Sequence, residues 1–403
     1  MALADIEVGL DEQELALRDT AHRFAEEVMR PAGEALDKLP DPAQVIAPDS
    51  VLWPVFAKAA EVGIGDALGP DPEADPHQRG RLGSIVYEEL GWGDSGLAIS
   101  LGCAGFHRTF ALMSGDAELV DRFAGPDNQD IGCWAITEPD HGSDSLAFTQ
   151  PHFRDGAVRA NCIARADGDD FVISGQKSAW VSNGTIATAA VLFCTIDSDK
   201  GFGHGGVALV PLDLPGVSKG KPLDKLGQRA LNQGEIMFDD VRIPGSHMIV
   251  RPELYELVLE GILTMANQAM GSIFTGVARA AFELALDYAK NRVQGGKPII
   301  EHQSVQSRLF KMFSQVEAAR SLARRVAAFN AGPTPMVQYS IASKVFCTNT
   351  AFQVASDALQ IFGGNGLTRE YPIEKLLRDA RASMIEDGCN EVLGLVAATR
   401  LAS

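Results

Sequence analysis

Two neighbouring carboxylates near the end of the chain could perform acid-base chemistry. The segment IEDGCNEV, residues 385–392, places Glu386 beside Asp387 and directly before Gly388. A carboxylate can remove a proton from carbon when its position and its pKa suit that step. The same pair could also be a solvated Asp-Gly turn with no chemical role. The rest of the sequence must decide between a proton-abstracting base and a surface turn.

The overall composition is typical of a globular protein that does not bind nucleic acid. The chain has 403 residues, of which 46% are hydrophobic, a length that favours two or three packed domains. A formal charge of -18 would repel a polyanion over most of the surface. The six cysteines lack the spacing of metal ligands, so we expect free thiols, no metal site and a cytoplasmic location. We expect neither a secretion signal nor a membrane-spanning segment.

The pattern of apolar residues changes twice along the chain. Residues 1–130 show helical spacing, whereas residues 131–245 form short β-branched stretches separated by Gly, Asp and Asn. Long helical periods return in residues 246–403. We therefore predict an α+β protein with an N-terminal helical domain (1–130), a middle antiparallel β domain (131–245) and a C-terminal helical bundle domain (246–403).

One glycine-rich segment imitates a dinucleotide-binding motif. GFGHGG, residues 201–206, matches G-x-G-x-x-G, but it lies between two predicted strands and no helix follows it. The motif binds phosphate through the N-terminus of a helix, so this match lacks its mechanism. We predict that it is the loop of a β-hairpin.

Three other segments indicate a protein family when they are considered together. They are CWAITEPDHGSD (133–144), GQKSAWVSNG (175–184) and QIFGGNGLTREYPIEKLLRDARASMIEDGCNEV (360–392). Singly, the first two would be strands that end in turns. In this order and separation, the three resemble the acyl-CoA dehydrogenase family, and the resemblance covers essentially the whole chain. It implies the fold of that family, in which the C-terminal domain is a four-helix bundle.

The resemblance also implies FAD, bound between the β domain and the bundle. Thr137, Ser143 and the backbone near Trp134 would contact the flavin and its pyrophosphate. Trp180 would lie against the isoalloxazine, and Ser182 would hydrogen-bond near N5. Hydroxyl groups suit these positions because they bind nitrogen or phosphate oxygen without bringing a full charge to the ring.

A second set of residues would bind FAD across a subunit interface. By resemblance, Arg292 reaches the pyrophosphate of a neighbouring subunit's FAD, and Gln360, Gly363 and Gly364 contact its adenine side. Arginine supplies a charge that the acidic surface lacks, and glycine permits close backbone approach. The resemblance thus implies a homo-oligomer, either a dimer or a homotetramer.

The same alignment answers the question about the two carboxylates. Asp387 falls where family members usually carry the catalytic Glu, while Glu386 replaces the usual Tyr. Cys389 replaces the usual Thr, and Glu391 keeps a Glu/Gln position; both would lie at the cofactor. Asp387 would remove the proton next to a thioester while a hydride leaves for flavin N5. Its side chain is one methylene shorter, by about 1.5 Å.

Other departures from the family pattern bear on the substrate. The alternative base position of some members is Ala266 here, so no carboxylate can act from there, and the Arg that usually follows is Asn267. His107 and Arg108 fall on the helical stretch that lines the acyl end of the cleft. These departures favour a branched, cyclic or polar acyl-CoA. The resemblance itself implies an electron-transfer flavoprotein as the electron acceptor.

Three alternatives remain open at this point. A nitroalkane oxidase-like enzyme uses an Asp base, but its partner Arg position is Gly394 here. A desulfinase-like enzyme is a further option on this fold, although it normally lacks the carboxylate. The third alternative is a catalytically inactive FAD-binding subunit of a mixed oligomer.

Overall fold

The computed structural model describes residues 3–65, 75–158, 160–196 and 198–402. Helices occupy both ends of the chain, and one sheet lies between them. The prediction of an α+β fold with this organisation is confirmed. The domain boundaries at residues 130 and 245 stay predictions. The first strand begins at Gly132, and the last strand of the sheet ends at Val250.

The N-terminal part is a set of helices. They are α1 (Glu12–Phe24), α2 (Arg30–Asp37), α3 (Leu52–Glu61), α4 (Pro76–Gly93), α5 (Ser95–Ala104), α6 (Phe106–Ser114) and α7 (Ala117–Ala124). The side chain of Asp11 caps α1 by accepting from the N–H groups of Gln13 and Glu14. A π-helical turn, Ala25–Met29, joins α1 to α2 without a break.

The middle part is an eight-stranded, mostly antiparallel sheet. Its strands are β1 (Gly132–Ala135), β2 (Ile163–Asp167), β3 (Asp170–Lys177), β4 (Ala189–Thr195), β5 (Gly205–Pro211), β6 (Val217–Lys219), β7 (Ile236–Pro244) and β8 (Met248–Val250). Neighbours follow the order β6-β7-β3-β2-β4-β5-β8, and β1 pairs in parallel with β4. GFGHGG begins in the connection between the antiparallel strands β4 and β5, and its last two glycines open β5, so the hairpin prediction is confirmed.

The C-terminal part is built from long helices. They are α8 (Pro252–Asn291), α9 (Gln303–Asn330), α10 (Val337–Phe362), α11 (Ile373–Ser383) and α12 (Asn390–Ala402), with a small hairpin of β9 (Val293–Gln294) and β10 (Lys297–Pro298) after α8. By length and composition α8 could cross a membrane, but 78% of its most apolar window is buried inside the protein. Its apolar character is therefore that of a core helix.

A buried ion network joins the N-terminal helices to the bundle. Glu88 on α4, with 1% of its surface exposed, accepts hydrogen bonds from Arg279 on α8 and from Arg320 and Arg324 on α9. Arg324 also pairs with Asp5, 2.7 Å away, at the start of the chain. Several guanidinium groups hold the pKa of Glu88 to about 2 against the effect of its burial. The network is therefore ionised at neutral pH and ties three parts of the chain together.

Candidate active site

The two carboxylates lie on a tight loop between α11 and α12, which we call the base loop (Met384–Cys389). Asp387 has φ +51° and Gly388 has φ +94°, both in the left-handed region. Asp tolerates this region better than most residues, and Gly enters it without a steric penalty. The N–H of Asn390 closes the loop by donating to Met384 O at 3.0 Å.

The polar groups of Asp387 are left free by the fold. Among the described residues, neither its carboxyl group nor its backbone N–H has a hydrogen-bond partner. Burial raises the pKa of Asp387 to about 6, and the Lys344 ammonium opposes this rise. A carboxylate with a raised pKa is a stronger base than an ordinary Asp. The side chain and the N–H are thus both available to a ligand.

Glu386 faces a different set of groups. It accepts a hydrogen bond from Gln228 Nε2 at 2.8 Å. Burial raises the pKa of Glu386 to about 7, with Lys225 opposing and Asp387 adding to the rise. Lys225 is itself held by Leu231 O and Gln233 Oε1, both at 2.8 Å. Glu386 is therefore fixed in a polar network, whereas Asp387 is not.

The loop is fastened to α10 by a buried lysine. Lys344 Nζ donates to Gly388 O and to Asn390 Oδ1, each at 2.8 Å. Asn390 also donates to Thr348 Oγ1 at 3.1 Å, one turn further along α10. Sequence reasoning missed Lys344 because it lies outside the motif segments, on a helical stretch whose other residues are mainly apolar.

The two motif turns of the β domain are brought together beside this loop. The N–H of Ser178 donates to Thr137 O at 2.8 Å, which joins the TEP turn to the end of β3. Ser143 accepts from the N–H of Cys389 at 2.9 Å, across the boundary between the sheet and the bundle. The sequence segments 133–144, 175–184 and 360–392 therefore meet, as the resemblance required.

Trp180 and Ser182 lie on the loop after β3. The Trp180 ring is 57% exposed, which is unusual for a large aromatic side chain. Gln233 Nε2 donates to both Trp180 O and Ser182 Oγ at 3.2 Å. These contacts orient the loop and leave the indole ring uncovered by protein.

Two further motif residues hold this loop in place, and sequence reasoning missed both. Lys177 is buried and donates to Glu138 Oε1 at 2.7 Å. Asn183, at φ +62°, donates to Ser100 O and accepts from Ser100 Oγ. Both belong to the quoted GQKSAWVSNG segment, so the motif itself could have drawn attention to them.

The residues at this junction fit a flavin. The indole Nε1–H of Trp134 is buried without an acceptor among the described residues. The exposed Trp180 ring offers a flat apolar surface, and Ser143 and Ser182 offer hydroxyl groups. A large heteroaromatic ligand with a polar tail would use such a combination. Glu391, at the start of α12, is exposed.

Four of the predicted cofactor residues lie elsewhere. Arg292 is the C-cap of α8, and Gln360 lies in the last turn of α10, which Gly363 and Gly364 follow; all four are exposed. Tyr288 stacks on Phe362 with ring centroids 4.1 Å apart, so the two helix ends are adjacent. Lys344 on α10 contacts the base loop. At about 1.5 Å per residue, Gln360 lies about 24 Å further along the axis of the same helix.

The expectation that His107 lines the acyl end of the cleft needs correction. His107 is fully buried and bonds to Asn128 Oδ1 at 3.0 Å, while Arg108 is exposed at the surface. Since His107 packs inside the protein, it cannot line an open cleft as a polar substrate contact. Asn267 is buried, donates to Leu263 O, and has an Oδ1 atom without a partner among the described residues. Ala266 is buried beside it.

This chain matches two family models and several known proteins over most of its length. The family model for the acyl-CoA dehydrogenase middle domain matches residues 133–241, and that for the acyl-CoA dehydrogenase C-terminal domain matches residues 256–402. Mitochondrial short-chain specific acyl-CoA dehydrogenase of Rattus norvegicus is 30% identical over 98% of this chain and 91% of its own. Benzylmalonyl-CoA dehydrogenase of Aromatoleum aromaticum is 30% identical over 99% of this chain and 100% of its own.

Solved structures agree with the sequence comparison. Butyryl-CoA dehydrogenase from Megasphaera elsdenii has a TM-score of 0.85 and 25% identity, covering 99% of this chain and 100% of that one. Fold, motif geometry and sequence matches together define an FAD-dependent oxidoreductase. The chain belongs to the acyl-CoA dehydrogenase family. The resemblance found in the motifs is thereby confirmed.

Proposed function

We propose that this protein dehydrogenates an acyl-CoA thioester between its α and β carbons, with Asp387 as the base. The observation that carries the proposal is the free state of Asp387 on the base loop. Its carboxyl group, whose pKa is raised to about 6, has no protein partner among the described residues, and neither has its backbone N–H. Glu386, in contrast, is held by Gln228. Of the two carboxylates, Asp387 is the one available to substrate.

The reaction needs two groups from this residue. The Asp387 carboxylate takes the proton from the carbon next to the thioester carbonyl, and burial favours this transfer by raising its proton affinity. The backbone N–H of Asp387 donates to the carbonyl oxygen, on which negative charge develops. A flavin bound at this junction would supply the acceptor for the hydride that leaves the adjacent carbon. Ser143, Trp180 and Ser182 would hold the cofactor at the loop, together with Thr137 and Trp134.

The remaining cofactor residues act on a neighbouring subunit in this proposal. Gln360 lies about 24 Å along α10 from Lys344, which contacts the base loop of the same chain, and Arg292, Gly363 and Gly364 lie at this far end of the bundle. A second copy would bring them to the adenine end of the FAD. Exposed apolar side chains on α9 and after α10, such as Phe310 at 70% and Leu367 at 76%, favour a further subunit interface. We infer a homo-oligomer, either a dimer or a tetramer.

The acyl group is inferred to be branched, cyclic or polar. His107 is buried and does not support this inference. It depends on the polar residues Glu386 and Asn267 at positions where the family usually has Tyr and Arg, and on the shorter reach of Asp387. Benzylmalonyl-CoA dehydrogenase, a relative of similar identity, acts by its name on a thioester of this kind. An electron-transfer flavoprotein is the proposed acceptor.

Replacing Asp387 tests the function directly. We expect Asp387→Asn to keep its bound FAD but to lose thioester-dependent bleaching of the flavin, measured without oxygen, by at least about 100-fold. Asp387→Glu keeps the carboxyl group and is the matched control, so it should retain measurable bleaching. Straight-chain, branched, cyclic and dicarboxylic CoA thioesters form the substrate panel.

The outcomes also separate the alternatives. Full bleaching in Asp387→Asn would reject this residue as the base. Bleaching by nitroalkanes and by no thioester would favour a nitroalkane oxidase-like enzyme. A flavin-loaded wild-type protein that no substrate bleaches would favour an inactive subunit.

A further inference from the structure

Lys344 is an unusual residue to find in the interior of a helical bundle. Its side chain on α10 is 0% exposed, and its two hydrogen-bond acceptors in the described part of the chain, Gly388 O and Asn390 Oδ1, are both uncharged. Burying an ammonium without a paired charge is unfavourable. Burial lowers the pKa of Lys344 to about 8, although nearby carboxylates, of which Asp387 is the strongest, oppose the change. Such an unfavourable placement requires a compensating role.

The ammonium of Lys344 contacts the base loop and the first residue of α12. Its ammonium donates to Gly388 O and to Asn390 Oδ1, both at 2.8 Å. Gly388 O belongs to the residue directly after Asp387, so this bond fixes the chain where it leaves the base. Asn390 begins α12 and is also held by Thr348. The lysine therefore braces the loop from the side of the bundle.

The loop needs such support because its conformation is strained. Asp387 has a positive φ of 51°, which costs a non-glycine residue on the order of 1 kcal/mol and persists only when its surroundings enforce it. On the sheet side, Ser143 holds the N–H of Cys389. On the bundle side, Lys344 holds the carbonyl of Gly388. The two bonds act on consecutive residues directly after Asp387.

We propose that Lys344 is the positioning residue of the base: by holding Gly388 O and Asn390 it keeps the Asp387 carboxyl group and N–H directed at the substrate. This inference rests on the proposed function of Asp387. In the described part of the chain, the ammonium of Lys344 donates to Gly388 O and Asn390 Oδ1. It acts through the loop, and its positive charge also opposes the rise in the pKa of Asp387.

Other charged groups around the pair must be considered in any pH experiment. Lys344 is faced by Glu386, Cys389 and Glu391 as well as by Asp387. The Cys103 thiol on α5 faces both loop carboxylates, and its own pKa is raised by burial and by their charge. Because these groups remain unchanged in a Lys344 variant, a shift in the pH profile reports the loss of the ammonium.

Lys344→Met is the principal test, since it keeps the length of the side chain and removes its charge and donors. With FAD bound, we expect kcat to fall about 100-fold, as a displacement near 1 Å produces, while KM changes little. The acid limb of the kcat/KM profile should move to higher pH because Asp387 loses its stabilising cation. Lys344→Gln keeps donor hydrogens without charge, and we expect the same shift with a smaller fall in kcat.

Thr348→Val is the matched control on the same helix. It removes one hydrogen bond to Asn390 and leaves Lys344 in place, so the pH profile should not move. An unshifted profile and unchanged kcat in flavin-loaded Lys344→Gln would overturn the inference, even if Lys344→Met fails to fold. Asp387→Asn is measured alongside. If it remains active, the proposed function itself fails; if it is inactive while both Lys344 variants behave as wild type, only the role of Lys344 is rejected.

Discussion

The two carboxylates of the base loop should titrate as a coupled pair. Burial raises the pKa of Asp387 to about 6 and that of Glu386 to about 7, and Asp387 adds to the rise at Glu386. Because the base must be ionised to act, kcat/KM should increase with pH through this range. Two interacting groups lose their protons in two steps that belong to the pair.

Replacing Glu386 by Gln should simplify this profile. The variant removes the second titration, so we expect a single acid limb near pH 6, measured as kcat/KM against pH in flavin-loaded enzyme. Glu370→Gln, which changes an exposed carboxyl group outside the site, should leave the wild-type profile intact. A two-step profile that survives in Glu386→Gln would show that another group titrates with Asp387.

At the residue scale, the sequence pointed to a candidate base but not to its environment. The 360–392 segment and its alignment identified Asp387, because the Asp-Gly pair falls at a fixed position in a long motif. Gln228 and Lys344 could not be found in the same way. They approach the loop from a connection of the sheet and from the middle of a helix, and only the packing of three parts of the chain brings them within hydrogen-bond distance.

The elements that carry the loop depend on Gly388. A Cβ atom there would lie 2.8 Å from Leu393 Cδ2 and 3.3 Å from Leu146 Cδ1, and the φ of +94° is unfavourable for any L side chain. We expect Gly388→Ala to destabilise the protein by about 1–3 kcal/mol and to reduce activity further by displacing Asp387. Thermal unfolding and flavin bleaching measure the two effects.

Gly394 is the matched control because it lies on α12, just beyond the loop. A Cβ atom at Gly394 would have no other atom within 4 Å, and Gly394 is exposed. Gly394→Ala should therefore stabilise the helix by about 0.5–1 kcal/mol and leave activity unchanged. Equal losses in both variants would mean that any methyl group on this segment is harmful, and that the geometry of Gly388 is not special.

The succession of elements was largely predictable from apolar periodicity. The helical period in residues 10–37 corresponds to α1 and α2, and the change to β-branched stretches near residue 131 corresponds to β1 at Gly132. Periodicity could not show the π-helical turn between α1 and α2, since this turn shifts the hydrogen bonds by one residue without interrupting the helical pattern. Nor could it show the parallel pairing of β1 with β4.

For the whole molecule, the proposed subunit interface can be tested by complementation. Asp387→Asn and Arg292→Ala chains should each be inactive or nearly so. If Arg292 serves the neighbouring subunit, a mixed dimer has one site with both residues intact. Coexpression of the two variants in equal amounts should then restore about a quarter of the wild-type sites.

The control is coexpression of wild type with the double variant that carries both substitutions in one chain. If Arg292 acts in trans, every mixed dimer of this kind has two damaged sites. If Arg292 acts within its own chain, the first mixture stays inactive and the second keeps one good site in each mixed dimer. Flavin content and bleaching per subunit distinguish the two patterns.

The ion network around Glu88 affects how the protein unfolds. The network joins the Glu88 carboxyl group on α4 to three guanidinium groups on α8 and α9. One of these, that of Arg324, also pairs with Asp5 near the start of the chain. Separating the N-terminal helices from the bundle would leave the three arginines without Glu88, and Glu88 without its three cationic partners. We therefore expect the N-terminal helices and the bundle to unfold together in one thermal transition, and not separately at the boundary predicted from the sequence.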